Sequence, residues 1–198
     1  GDCWGDLDEA EALGILRAAV ESGVDFLDTA DVYGGGRSEQ LIGKFLKENP
    51  DELFVATKLG RRDHVFPDNF TPENLRGCTE DSLKHLGVES LDLTQLHCLP
   101  TEVLRQGEVF DEMRKQQAAG LIRHWGVSVE SMEEALICME QDGLTSLQII
   151  FNVFRRKPAE ILFEKAKAMN IAIIVRLPLA SGLLSGKLSS NSTFAEND

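Results

Sequence analysis

The sequence predicts an α/β fold of the (β/α)8-barrel kind, incomplete over these residues, and three observations predict it. Six short runs rich in apolar and β-branched residues alternate with segments of helical periodicity. Polar residues stand at the ends of nearly all the runs. No glycine-rich dinucleotide turn of the G-x-G-x-x-G type occurs anywhere, and "GGGRS" lacks the Gly-Lys of a phosphate loop.

Taken in order, the elements justify themselves. Asp6 and Glu9 have capping-box spacing at the start of a helical stretch in which Leu13, Leu16, Ala19 and Val20 share a face, and Gly23 stands at its end. The first run, "VDFLDTA" (24–30), carries Asp28 near its end, and a second helical face follows with Leu41, Ile42, Phe45 and Leu46. "LFVATKLG" (53–60) brings Lys58, and Thr71 with Pro72 fits an N-cap and first helical residue. "LDLTQLH" (91–97) ends in His97, and "HWGVSV" (124–129) carries Ser128. Ser131 with Glu134 is a second capping box, and Gly143 marks a helix stop before "SLQIIFN" (146–152), which ends in Asn152. "IAIIVRLP" (171–178) is the last run.

Strict alternation implies parallel strands joined by crossover helices, which leaves an open doubly wound sheet or a barrel. The polar strand ends favour the barrel, whose active site gathers at the C-terminal ends of its strands. Residues two apart on a strand share a face, so Phe26 and Asp28, Phe54, Ala56 and Lys58, Leu93, Gln95 and His97, and Gln148, Ile150 and Asn152 form inner sets ending at one mouth. A whole barrel takes about 250 residues. With six runs in 198 residues, the expectation is one partial barrel domain over 1–198, holding strands two to seven, with the first and eighth missing or partial.

A formal net charge of −13 disfavours nucleic acid and anionic membranes as partners. No apolar run approaches the roughly 18 residues of a membrane helix, and the N-terminal residues lack signal-peptide character, so a cytoplasmic protein is expected. The four cysteines are scattered without a C-x-x-C pair, which predicts reduced thiols and no metal site.

"FLDTADVYGGG" (26–36) concentrates the chemistry, with the chain's one tyrosine beside two aspartates. A lysine ammonium beside a phenol favours release of the phenolic proton. Lys58 would supply that charge, Asp28 would hold and compensate Lys58, and His97 would orient or polarise a carbonyl oxygen. Such a site donates a proton to an oxygen gaining negative charge, as carbonyl reduction by hydride requires, and the hydride must come from a cofactor.

In their order, "DTADVYGGGRSEQLIG", "VATKLG", "SLKHLGVESLDLTQLH", "WGVS", "LQIIFN" and "VRLPLASGLLSGK" resemble the successive motifs of the aldo-keto reductases. The resemblance implies a barrel that binds NADP(H) and reduces a small aldehyde or ketone to an alcohol. It matches Asp28, Tyr33, Lys58 and His97 to the catalytic tetrad, with Tyr33 as proton donor, and leaves Asp31 as a solvated loop residue. It matches Ser128 and Gln148 to the groups that bond the nicotinamide carboxamide, with Asp28 beside the ribose. Arg176 falls where an aromatic ring often stacks on the nicotinamide, and Val129 where many members have asparagine. The segment Pro178, Leu179, Ala180, Ser181, Gly182 to Lys187 resembles the stretch around the pyrophosphate, its small residues leaving backbone amides accessible. Cys3 and Trp4 match the loop after the first strand, at the edge of the cofactor and substrate pocket. In the family the cofactor's adenine end is held mainly around the eighth strand. Arg61 and Arg62 read as loop surface.

Other readings compete: a non-catalytic nicotinamide-binding regulatory subunit resembling potassium-channel β subunits, an inactive fragment, or a metal-dependent barrel isomerase or lyase using Asp28, Asp31 and His97. The particular carbonyl substrate and the oligomeric state are not written in the residues.

Overall fold

Asp8 opens the first helix, α1 (Glu9–Glu21), by accepting a hydrogen bond from the Glu11 amide at 2.7 Å. In this computed structural model, which describes residues 7–49 and 53–194, the cap therefore falls two residues later than the Asp6 and Glu9 spacing predicts, and Asp6 lies outside the described residues. So do Cys3 and Trp4.

Six strands follow: β1 (Phe26–Asp28), β2 (Phe54–Leu59), β3 (Leu91–His97), β4 (Ile122–Ser128), β5 (Ser146–Ile150) and β6 (Ala172–Arg176). Between them run α2 (Arg37–Glu48), α3 (Pro72–Leu86), α4 (Thr101–Gln106), α5 (Glu108–Ala118), α6 (Met132–Met139), α7 (Lys157–Ile161) and α8 (Phe163–Ala168). Every neighbouring pair is parallel, and the sheet order β1-β2-β3-β4-β5-β6 is the chain order. A doubly wound sheet reverses direction at a switch point, whereas a barrel wall never does. The six strands accordingly form a curled half-barrel, an incomplete (β/α)8 barrel.

Start signals account for the helices that frame it. The Thr71 side chain accepts from the Asn74 amide with Pro72 in the first turn, and Ser131 and Glu134 form a reciprocal capping box at α6. The helix before Gly143 stops earlier than that glycine suggests, at Met139. One core joins the sheet to its helices. Val55, Leu59, Leu96, Val127 and Ile149 pack with Leu75 and Leu86 of α3, Phe110 and Met113 of α5, and Cys138 of α6. Trp125 on β4 is fully buried with its ring centroid 5.9 Å from that of Phe110, and burial of such an aromatic contributes about 1.5–3 kcal/mol. The packed outer face turns the inner sets toward the concave side.

Candidate active site

Lys58 is almost completely shut off from solvent, with its side chain 1% exposed. A buried ammonium needs partners, and it donates to Asp28 Oδ2 at 2.6 Å and to the Thr29 carbonyl at 2.7 Å. The register explains the meeting: Asp28 pairs with Ala56, and Lys58 lies two residues further along the same face of β2.

Tyr33 reaches the lysine from the loop after β1. Its residue begins a single 3-10 turn, Tyr33–Gly36, in which Gly34, Gly35 and Gly36 take φ of 59, 62 and 94 degrees. Three successive left-handed residues require glycine, and a Cβ at Gly36 would lie 2.7 Å from the His85 ring. The turn leaves the Tyr33 ring half-buried, with Lys58 Nζ 5.1 Å from its centroid. His97, at the end of β3, meets the same ring edge-on, with centroids 5.9 Å apart and planes at 82 degrees. Burial pushes the His97 imidazole down to about 3, and the charges of Lys58, Arg61 and Arg176 push the same way, so the ring is neutral at physiological pH.

Asp28 gathers more than Lys58. Its Oδ1 accepts from Gln148 Nε2 at 3.0 Å and from Gln95 Nε2 at 3.3 Å, and the Ser128 hydroxyl donates to Gln148 Oε1 at 3.3 Å. One polar layer therefore links β1, β2, β3, β4 and β5. The alternation already puts Gln95 on the His97 face, yet the sequence gives it no role. Cys98 went unassigned too. Its sulfur lies 3.5 Å from Ser128 Oγ and 3.5 Å from Arg176 Nη2. Arg176 also donates to the Val129 carbonyl at 3.2 Å and faces Glu130 at 3.7 Å.

Four expectations are corrected. Asp31 is not solvated: its side chain is fully buried and accepts from Arg62 Nε at 2.8 Å. Arg62 is not free loop surface either, because Nη1 donates to Asp81 at 2.7 Å. Asn152 does not present a free polar end. Its Nδ2 donates to the Leu177 carbonyl at 3.0 Å and its Oδ1 accepts from the Phe154 and Arg155 amides, which fixes the turn after β5. In the segment from Pro178 to Lys187, the amides of Ala180, Gly182, Leu183, Leu184 and Ser185 donate to carbonyls of the segment and its neighbour Leu177, and that of Lys187 to Ser185 Oγ. These amides are engaged in local turns, so the expectation of accessible amides does not hold for them in this structure.

Among the described residues, no group of three or more His, Cys, Asp and Glu could hold a metal ion, and no helix is long and apolar enough to cross a membrane. The carboxylates of Asp28 and Asp31 are each committed to a cation.

The profile of the Aldo/keto reductase family matches residues 1–198. A probable aldo-keto reductase 1 of Glycine max is 33% identical over 91% of this chain and 53% of its own length. The structure of the glycerol dehydrogenase AKR11B4 from Gluconobacter oxydans superposes with a TM-score of 0.86 at 35% identity, covering 98% of this chain and 62% of that one. An aldo-keto reductase from Klebsiella pneumoniae in complex with NADPH gives 0.76 at 25% identity, over 93% of this chain and 63% of that one. The chain thus spans less than two thirds of the length of these relatives. With the family's profile matched from end to end, the chain belongs to the aldo/keto reductase family.

Proposed function

We propose that the protein to which this chain belongs reduces a small aldehyde or ketone to an alcohol, with NADPH as cofactor and Tyr33 as the proton donor. One observation carries the reading: a buried ammonium, held by Asp28, lies against the ring of the chain's one tyrosine, with a neutral imidazole on that ring's other contact.

The residues fit the nicotinamide end of the cofactor. Ser128 and Gln148 offer a buried hydroxyl and amide, a donor and acceptor set that matches a carboxamide, and Arg176 Nε and His97 Nδ1 are buried without partners beside them. The Klebsiella pneumoniae relative carries NADPH, which supports the same cofactor here. When bound, NADPH supplies the hydride to the carbonyl carbon.

The chain's own residues supply the proton and hold it in place. Tyr33 gives its hydroxyl proton to the carbonyl oxygen, and the Lys58 ammonium stabilises the phenolate left behind. Asp28 compensates Lys58, so the positive charge is kept at the phenol instead of drawing in water. A neutral His97 has one N–H to donate to the carbonyl oxygen and one acceptor nitrogen, so it orients that oxygen without competing for the proton.

The test compares wild type and Tyr33→Phe by NADPH oxidation with a panel of small aldehydes. The expected outcome is a loss of about 10²–10⁴ in kcat, with the NADPH dissociation constant kept within about threefold. A Tyr33→Phe variant with full kcat removes Tyr33 from the chemistry. Tight NADPH binding by a wild type that reduces no carbonyl favours the regulatory-subunit reading instead.

A further inference from the structure

We propose that the Asp31 and Arg62 ion pair is a positioning element for the reaction, locking the loop that carries Tyr33 onto the loop that follows Lys58. The inference rests on the reading of Tyr33 as proton donor. Asp31 stands just before Tyr33 in the chain and Arg62 just after Lys58, so one ion pair spans the two segments that must stay in register. Arg62 Nε bonds the Asp31 carboxylate at 2.8 Å, and Arg62 Nη1 bonds Asp81 of α3 at 2.7 Å. The Asp31 amide donates to the Lys58 carbonyl at 3.0 Å, and the Tyr33 amide to the Ala30 carbonyl at 3.1 Å. The turn under the phenol is thereby pinned to β2 and to α3.

This attachment is not the cheapest one. The Asp31 side chain is fully buried, and its Oδ1 has no hydrogen-bond partner. The groups that act on it are Arg62 from the loop after β2, Cys78 from α3, and Glu39 from α2, itself bonded to Thr57 and His85, while Asp81 of α3 bonds the far side of Arg62. Burial pushes the carboxyl up to about 6, Glu39 adds to the rise, and Arg62 offsets only part of it. A folded-state value above the unfolded one means that the charged form weakens the fold. The stability owed to the protonated form is complete below about 3.8 and is lost as pH rises through about 6. A buried pair with that sign is poor evidence for stability. Beside the proton donor, it is accounted for by orientation.

Tyr33 is the single tyrosine of these 198 residues, so ring-labelled tyrosine, with the Tyr33 signals assigned by their loss in Tyr33→Phe, reports on this loop. In wild type the ring signals should move with an inflection near pH 6, and Asp31→Asn should abolish it. Asp31→Asn should keep or raise Tm at pH 8, yet lower kcat by about 10- to 100-fold at unchanged KM. Arg62→Met should lose kcat similarly, with Arg62→Lys between it and wild type.

An inflection that survives Asp31→Asn belongs to another group and overturns the proposal. So does an Asp31→Asn variant with wild-type kcat, or one whose Tm falls in step with its activity. Should the wild type reduce no carbonyl, the reductase reading falls, and the Tyr33 titration still decides the clamp.

Discussion

His97 shows how the site controls protonation. Burial and the cations Lys58, Arg61 and Arg176 hold the folded-state imidazole at about 3, against 6.5 for the free side chain. The unfolded chain therefore binds a proton at this position that the folded protein refuses, and stability falls as pH drops from about 6.5 toward 3. Histidine-resolved NMR should find no His97 titration between pH 5 and 8. Lys58→Met removes one of the cations and should move the midpoint upward; a His97 that titrates near its ordinary value in wild type contradicts a neutral donor. At this scale the sequence was legible where strand alternation decided a side chain's direction. Asp28, Lys58 and His97 stand at strand ends on one face, and a period of two is enough to find them. Asp31 was misread because its partner, Arg62, lies 31 residues away on a loop whose path no local pattern describes. Cys98 and Gln95 escaped for a different reason: a thiol and an amide carry no spacing signature, and their contacts exist only once the curled sheet brings residues of β1, β4 and β6 within reach of β3 and the residue after it.

At the scale of elements, the half-barrel depends on close approach between helices as much as on strand pairing. Gly43 of α2 sits against the end of α3, where an added Cβ would lie 2.3 Å from the His85 carbonyl oxygen and 2.8 Å from Leu86 Cα. Those neighbours are backbone and cannot rotate away, so Gly43→Ala must push α2 from α3. The same contact carries the bond of His85 to Glu39, and Glu39 in turn accepts from Thr57 on β2 at 2.6 Å. Gly43→Ala should destabilise by about 1–3 kcal/mol or more. Gly77 in the middle of α3 has nothing within 4 Å of an added Cβ, and Gly77→Ala should stabilise by about 0.5–1 kcal/mol. Denaturant melts of the two variants settle the comparison, and equal effects would mean that α2 and α3 are not in tight contact. Helix starts at Thr71 and Ser131 were legible because caps are local chemistry, whereas the premature end of α6 at Met139 was not, since a glycine marks where a helix can stop and packing decides where it does.

For the molecule as a whole, the curvature of the sheet sets what this chain does alone. The interior of a (β/α)8 barrel is a filled core of layered side chains, closed by all eight strands. Here the concave face is lined near the N-terminal ends of the strands by Phe26, Phe54, Leu93, His124 and Ile174, around a cavity of about 560 Å³. Phe26 stacks on Phe54 with centroids 5.2 Å apart and still remains 38% exposed. A contiguous apolar surface of this kind binds hydrophobic probes or a second chain. The Asp28 side chain, on the same face, is 35% exposed although it neutralises a buried lysine, so the open interior reaches the site itself. Relatives in the family are longer, with the chain matching 53% of the Glycine max protein and 62% of the Gluconobacter oxydans one. The 198 residues expressed alone should therefore bind a hydrophobic dye and associate as concentration rises. A protein continuing through two further strand and helix units should do neither, and should bind NADPH more tightly by at least about tenfold, a difference of roughly 1.4 kcal/mol. Dye titration, light scattering and cofactor fluorescence on both proteins test this together. Equal NADPH affinity would mean that the residues at the mouth of β1 to β6 hold the cofactor without the rest of the wall.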